Sequence, residues 1–187
     1  VYLAGAVATA GDNADTKLGW ATTIAGILLA LIAPVLGRRS DQSGKRKFWL
    51  MFNTYVLVAI MVASFFIEPK PEYFVMGLVL YGLGSVVQES AFINYYAMLR
   101  QVSKPSNIGK VSGFAWGLGY LGGIVLLLIS LVGFIQTDTP WFGIPLTDSL
   151  NVRSVFLFSA VWLLVFSIPL FLSVPEIKAK ENLQKES

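Results

Sequence analysis

The chain has 187 residues, of which 55% are hydrophobic and 13% charged, with a mean hydropathy of +0.67 and a net charge of +3. A soluble domain carries about a quarter charged residues. Here the deficit is concentrated in long charge-free runs, which excludes an ordinary soluble core and points to membrane spans of about 20 residues each. The basic residues sit in short loops between these runs, so the positive charge is no sign of a nucleic-acid partner. There is no cysteine and no histidine, which excludes disulfides and thiolate or imidazole metal sites and implies no cofactor.

Residues 1–10, "VYLAGAVATA", read as the outer end of a partial helix. The chain opens on Val1 inside this apolar stretch, without the basic start of a signal peptide. The expectation is therefore a first helix that has been truncated. "GDNADTK" is a polar turn, and 18–37 is the first complete span, with Pro34 near its end. Residues 48–67 form the next span, stopped by "EPKPE" because proline cannot continue a helix. The span at 73–99 is longer than a bilayer requires. After "RQVSKPSN", where Ser106 or Asn107 can cap the following helix, residues 108–134 form a glycine-rich span. "IQTDTPWFGIPLTDSLNVR" is a longer loop whose apolar middle suits the membrane surface. The last span is 154–174, with Pro169 inside, and 175–187 is a soluble tail or the start of a central linker. With the first helix restored there are six spans in one bundle, 1–174.

Counted on alternating sides, the loops 38–47 and 100–110 and the tail hold eleven Lys and Arg, against three (Lys17, Lys70, Arg153) on the other side. Asp12, Asp15, Glu68, Glu72, Asp138 and Asp148 all lie on the basic-poor side. This positive-inside bias places both loops and the tail in the cytoplasm. Trp20, Phe48, Trp49, Tyr73 and Trp141 fall near span ends, where aromatic residues anchor to the interface.

The loop "GRRSDQSGKRK" carries Gly37, Asp41, Gly44, Lys45 and Arg46 in a G-x-x-x-D-x-x-G-K-R pattern. A glycine at 37 permits a close helix approach. Asp41 is an anion at a helix C-terminus, where the dipole disfavours it, so it calls for a partner. Read plainly, the five basic residues set topology. The pattern, after the second span and on the cytoplasmic side, also resembles the signature loop of the major facilitator superfamily. That resemblance implies a gate: the aspartate meets a helix N-terminus in the other half of the transporter, and the basic residues join the same charge network. Asp41 and Arg46 would then be gating residues and not substrate ligands. Arg38-Arg39-Ser40 stands where the superfamily more often has apolar or small residues.

"QESAFINYYAMLR" holds Glu89, the one acid within an expected span. A charge there costs about 2.5–3.5 kcal/mol on insertion scales and normally faces the bundle interior or a wet cavity. Helical spacing sets Gly82, Ser85, Glu89, Tyr96 and Arg100 near one face, expected to point inward. Arg100 lies about 16 Å along the axis from Glu89 at helical rise, too far for direct pairing. Glu89 is thus expected to be protonated, hydrated or paired outside this chain, as a proton-coupling carboxyl or as a structural one near the cytoplasmic boundary. Gln88 and Asn94 are further polar candidates, although amides in spans often bridge helices.

In "IGKVSGFAWGLGYLGGI", Gly109, Gly113 and Gly117 recur every four residues, with Gly119 and Gly123 as a second pair. Small-xxx-small spacing predicts tight helix packing. Trp116 and Tyr120 either line a cavity or pack. "SGFAWGLGYLGG", "APVLGRRSDQSGKRKFWL" and "ESAFINYYAML" together resemble the vacuolar amino-acid effluxer branch of the superfamily, the autophagy-linked permeases and their bacterial relatives. The likeness runs from Leu18 to about Val174.

No phosphate loop is present, so nothing here hydrolyses ATP, and no catalytic triad can be assembled. The sequence thus predicts an all-α membrane protein, the N-terminal six-helix half of a twelve-helix major facilitator fold, and not an enzyme. The function expected is secondary transport of small solutes, amino acids among them, by alternating access. A non-transporting scaffold or receptor-like protein on the same fold is the alternative. The implied partners are a C-terminal six-helix half, a small-molecule substrate and the lipid bilayer. The implied location is the bacterial inner membrane, or the vacuolar membrane in a eukaryote.

Overall fold

The computed structural model describes residues 2–8 and 13–176, with the backbone alone for 39–43 and 100–101. A π-helical turn, Leu3–Val7, precedes five long helices: α1 (Ala14–Ser43), α2 (Arg46–Phe65), α3 (Phe74–Val102), α4 (Ile108–Ser130) and α5 (Leu150–Ser173). All five are long and apolar enough to cross a membrane. Among the described residues there is no strand. Most of the tail predicted over 175–187 lies outside the described residues, which end at Glu176.

Several helices outrun their expected spans. α1 has 30 residues, about 45 Å at helical rise, against a hydrocarbon core of about 30 Å. Its extra turns are the polar residues beyond Gly37, which read as loop because hydropathy reports the membrane and not the helix. The helix stops at Gly44, whose φ of 61° is left-handed. Glycine alone adopts that conformation without strain and is the usual residue just past a helix end. Only Gly44 and Lys45 separate α1 from α2, so the expected loop at 38–47 shrinks to a two-residue turn. α4 runs on into a π-helical turn, Leu131–Ile135, and α5 begins four residues ahead of the expected 154.

Ser106 and Asn107 do not cap α4. Asn107 occupies the cap position without a side-chain bond to the helix, because its Oδ1 instead accepts from the Lys104 backbone N–H at 3.0 Å. That bond closes the preceding turn and leaves the helix end without a side-chain cap.

α3 packs between α1 and α2, and α5 lies on the far side of α2. α4 touches α3 and α5 only lightly and is joined mainly through the π-helical turn at its end. Close approach is set by glycines outside the α4 series. A Cβ on Gly84 would sit 3.6 Å from Ile60 of α2, and one on Gly82 4.0 Å from the Ala21 carbonyl of α1. Large apolar side chains such as Leu31, Leu127 and Leu172 are exposed, as expected when lipid covers the outer surface. The buried apolar cluster is small and lies where α1 and α3 begin and α2 has ended: Val7, Ala14, Ile67 and Phe74. Within the helices, Thr54, Ser130 and Ser154 donate to the carbonyl four residues back at 2.7–2.8 Å, which satisfies hydroxyls that lipid cannot.

Candidate functional site

The glycine, aspartate and basic motif singled out in the sequence spans the turn between α1 and α2. Gly37 and Asp41 lie on the last turns of α1, Gly44 is its buried C-cap, and Arg46 opens α2. Asp41 therefore stands in the final turn of a helix, where an anion is disfavoured; its side chain lies outside the described residues. Among the described residues, a Cβ added on Gly37 would meet nothing within 4 Å. Arg46 reaches across to α3, its Nη1 donating to the Ala97 carbonyl at 3.4 Å. Lys45 is exposed. α2 has no side-chain cap from its own cap residue and no acid in its first turn. Instead both carboxylate oxygens of Glu176, just past α5, accept from its first N–H groups: Lys47 at 3.0 Å and Phe48 at 3.1 Å.

The second location is the middle of α3. Glu89 falls midway along this helix, away from either end. Its side chain is exposed among the described residues. The polar stripe predicted around it is divided. Gly82 lies against α1, and the Ser85 hydroxyl donates to the Tyr81 carbonyl at 2.9 Å, whereas Glu89 and Tyr96 remain open. The Arg100 side chain lies outside the described residues. Gln88 lines a cavity of about 360 Å³ with Thr54, Tyr95 and Trp162. Asn94 is buried, and its Nδ2 donates to the Ser90 carbonyl at 3.0 Å within α3.

Between α3 and α4 the aromatic rings form a ladder. Phe92 stacks on Tyr96 at 5.9 Å, Tyr96 on Trp116 at 6.4 Å, and Trp116 leans on Tyr120 at 5.7 Å. These rings, with Gly119 and Gly123, wall an apolar cavity of about 510 Å³, within the size range of small-molecule sites. The α4 glycines meet no neighbour among the described residues. Added Cβ atoms on Gly109, Gly113, Gly117, Gly119 and Gly123 would meet nothing within 4 Å, so among the described residues these glycines pack on no other helix. They leave room in front of the rings instead.

The sequence placed Asn151 and Arg153 in a loop, but both are buried in the first turn of α5. Asn151 donates to the Phe134 carbonyl at 2.8 Å and ties α5 to the end of α4. Arg153 donates from Nε to the Phe65 carbonyl, the last of α2, at 2.7 Å. Its guanidinium also lies 5.2 Å from the centre of the Phe65 ring. A lone cation at the start of a span, on the acid-rich side, was the available signal. Nearby at the rim, a hydrogen bond from Lys70 holds the half-buried Glu68 carboxyl below its usual range, a pair of small worth at the surface. Among the described residues no cluster of three acids could hold a metal.

The sequence profile of the Major Facilitator Superfamily matches residues 3–187. An uncharacterized MFS-type transporter, YxiO of Bacillus subtilis (strain 168), is similar to the chain at 28% identity over 156 residues, covering 82% of the chain and 35% of the relative. The chain thus spans about a third of the length of the curated relative it matches. No solved structure matches it at a significant level. Five membrane-length helices with no strand among the described residues fit the N-terminal half of that fold. The match over nearly every residue and the helical architecture agree: this chain is an integral, multi-pass membrane protein and belongs to the Major Facilitator Superfamily.

Proposed function

We propose that this chain is one half of a secondary transporter of small solutes that works by alternating access against a second helical half. The observation that carries this reading is Glu89, a carboxyl midway along α3 on the side its own helices leave open. Such a residue is expensive in a membrane and normally serves a pathway or a proton relay. Binding at the midplane between two halves is the arrangement such transporters use. The neighbouring ladder of Phe92, Tyr96, Trp116 and Tyr120 would form one wall of the path. Gln88, Asn94 and Arg100 are its further polar candidates. The open glycine face of α4 would meet helices outside this chain.

In this reading the Gly37–Asp41–Gly44–Lys45–Arg46 motif is the cytoplasmic gate, closed when Asp41 meets a helix N-terminus of the second half. The positive-inside bias puts that gate, with residues 100–110 and the tail, in the cytoplasm. The likeness of three segments to the vacuolar effluxer branch makes amino acids the first substrates to try. The test is counterflow of labelled amino acids into proteoliposomes containing the complete transporter, this half together with its second half. Accumulation of one or more amino acids supports the reading. No counterflow with any of them, in vesicles where the protein is folded and correctly inserted, removes the amino-acid assignment.

A further inference from the structure

Every helix begins with four N–H groups that have no partner inside it. α2 is poorly equipped to satisfy them. Its cap residue is Lys45, whose side chain has no acceptor, and Arg46 and Lys47 follow, with no acid in the first turn. Three cations at the positive end of a helix dipole are unfavourable. The remedy comes from the far end of the chain. α5 stops at Ser173, Val174 is extended with φ −89° and ψ 122°, and Pro175 cannot continue a helix. This turns Glu176 over the start of α2, where its two oxygens take the N–H groups of Lys47 and Phe48.

The opposite end of α2 is served by the same helix. Arg153, in the first turn of α5, donates to the Phe65 carbonyl. α5 thus sets an anion on the N-terminus of α2 and a cation on its C-terminus, each of the sign the dipole favours. A slide of α2 along α5 by one turn, about 5.4 Å, would break both contacts together.

We propose that Glu176 is a positioning residue of the cytoplasmic gate. It caps α2 from the end of α5 and, with Arg153 at the other end, locks the two helices in one register. The Gly44–Lys45–Arg46 turn is then carried by a rigid α2–α5 pair. The gating part rests on the reading of the motif given above, whereas the register lock does not.

The experiment uses the complete transporter in proteoliposomes, with any cysteine of the second half replaced, since this chain has none. Spin labels at Phe52 and Leu172, both exposed, report the α2–α5 distance. In a separate measurement on the same cysteine-free background, a single cysteine in place of Tyr96 reports gate opening through its labelling by a membrane-impermeant maleimide from the cytoplasmic side. Glu176→Ala should broaden the distance distribution and raise the labelling rate about fivefold, the factor expected from loss of one helix cap. Glu176→Gln, which keeps one carbonyl acceptor, should fall between Ala and the parent. Asp41→Asn is the control for the gate itself. An unchanged distance in Glu176→Ala overturns the register lock. A broadened distance with unchanged labelling, while Asp41→Asn labels faster, overturns the positioning role and leaves the gate reading intact. Unchanged labelling in both variants overturns the gate reading and the positioning role together.

Discussion

Replacing Arg153 by methionine keeps most of the side chain's length and removes its charge. Two interactions go with it: the 2.7 Å bond from Nε to the Phe65 carbonyl and the guanidinium packed 5.2 Å from the Phe65 ring centre. A hydrogen bond to a charged group contributes about 1.5–3 kcal/mol. A desolvated cation over an aromatic face adds about 1–2 kcal/mol, and Arg153 is only 7% exposed. Against this, a cation in the first turn of α5 opposes that helix's own dipole by about 0.5 kcal/mol. The net expectation is a loss of about 2–4 kcal/mol, or a fall in Tm of roughly 5–15 °C for a unit of this size. The assay is thermal unfolding in detergent followed by tryptophan fluorescence, with size-exclusion after heating as a second readout. Arg153→Lys, which keeps the charge but loses the planar fork, should lie between methionine and the parent. A double-mutant cycle with Phe65→Leu should return a coupling of about 1 kcal/mol for the ring contact. If Arg153→Met melts within about 2 °C of the parent, a shift that corresponds to less than about 1 kcal/mol, Arg153 does not hold α5 to α2.

Three further substitutions probe separate links, and a fourth compares one of them with an open site. Glu89→Gln in the complete transporter should remove the pH dependence of transport while leaving insertion intact, and an unchanged pH profile would make Glu89 structural. Gly44→Ala forces a Cβ into the left-handed region at φ 61°; it should lower stability by about 1–2 kcal/mol, measured as a Tm shift, and an unshifted Tm would show that the turn relaxes at no cost. Gly133→Ala would put a Cβ 2.9 Å from the Trp141 ring and should lower the Tm by destabilising the π-helical turn that follows α4. Gly117→Ala meets open space in this chain, so any loss of stability it causes in the complete transporter would come from helices outside this chain; no loss would refute the proposed contact of the α4 face.

The membrane segments were legible because long uncharged runs are costly anywhere but in a bilayer, and each expected full span lies largely within one helix. The helix ends were less so. Residues beyond Gly37 continue α1 in polar sequence, where hydropathy carries no signal, and the left-handed Gly44 that stops the helix stands out in the sequence only as part of a motif. The α4 glycines announce small-residue packing as a pattern, but a pattern does not name the partner, and among the described residues there is none. Glycines that do admit neighbours, Gly84 against α2 and Gly133 against Trp141, have no such periodicity. The partners that Glu176 and Arg153 find are silent in the sequence for a different reason. Capping is usually sought within a few residues of a helix end, and here the partners are 129 and 88 positions away.

Pro34 gives the proposed gate motif a mechanical setting. It lies inside α1, lacks an N–H, and so leaves the carbonyl four residues earlier without its helical bond while its ring crowds that turn. Bending is easiest at such a point. From Pro34 to the helix end at Ser43 the axis runs about 14 Å, and this short arm carries Gly37 and Asp41. A flexure of about 10° at the proline would swing its tip by roughly 2 Å, enough to make or break a hydrogen bond. The part of α1 that precedes Pro34, against α3, would not have to move at all.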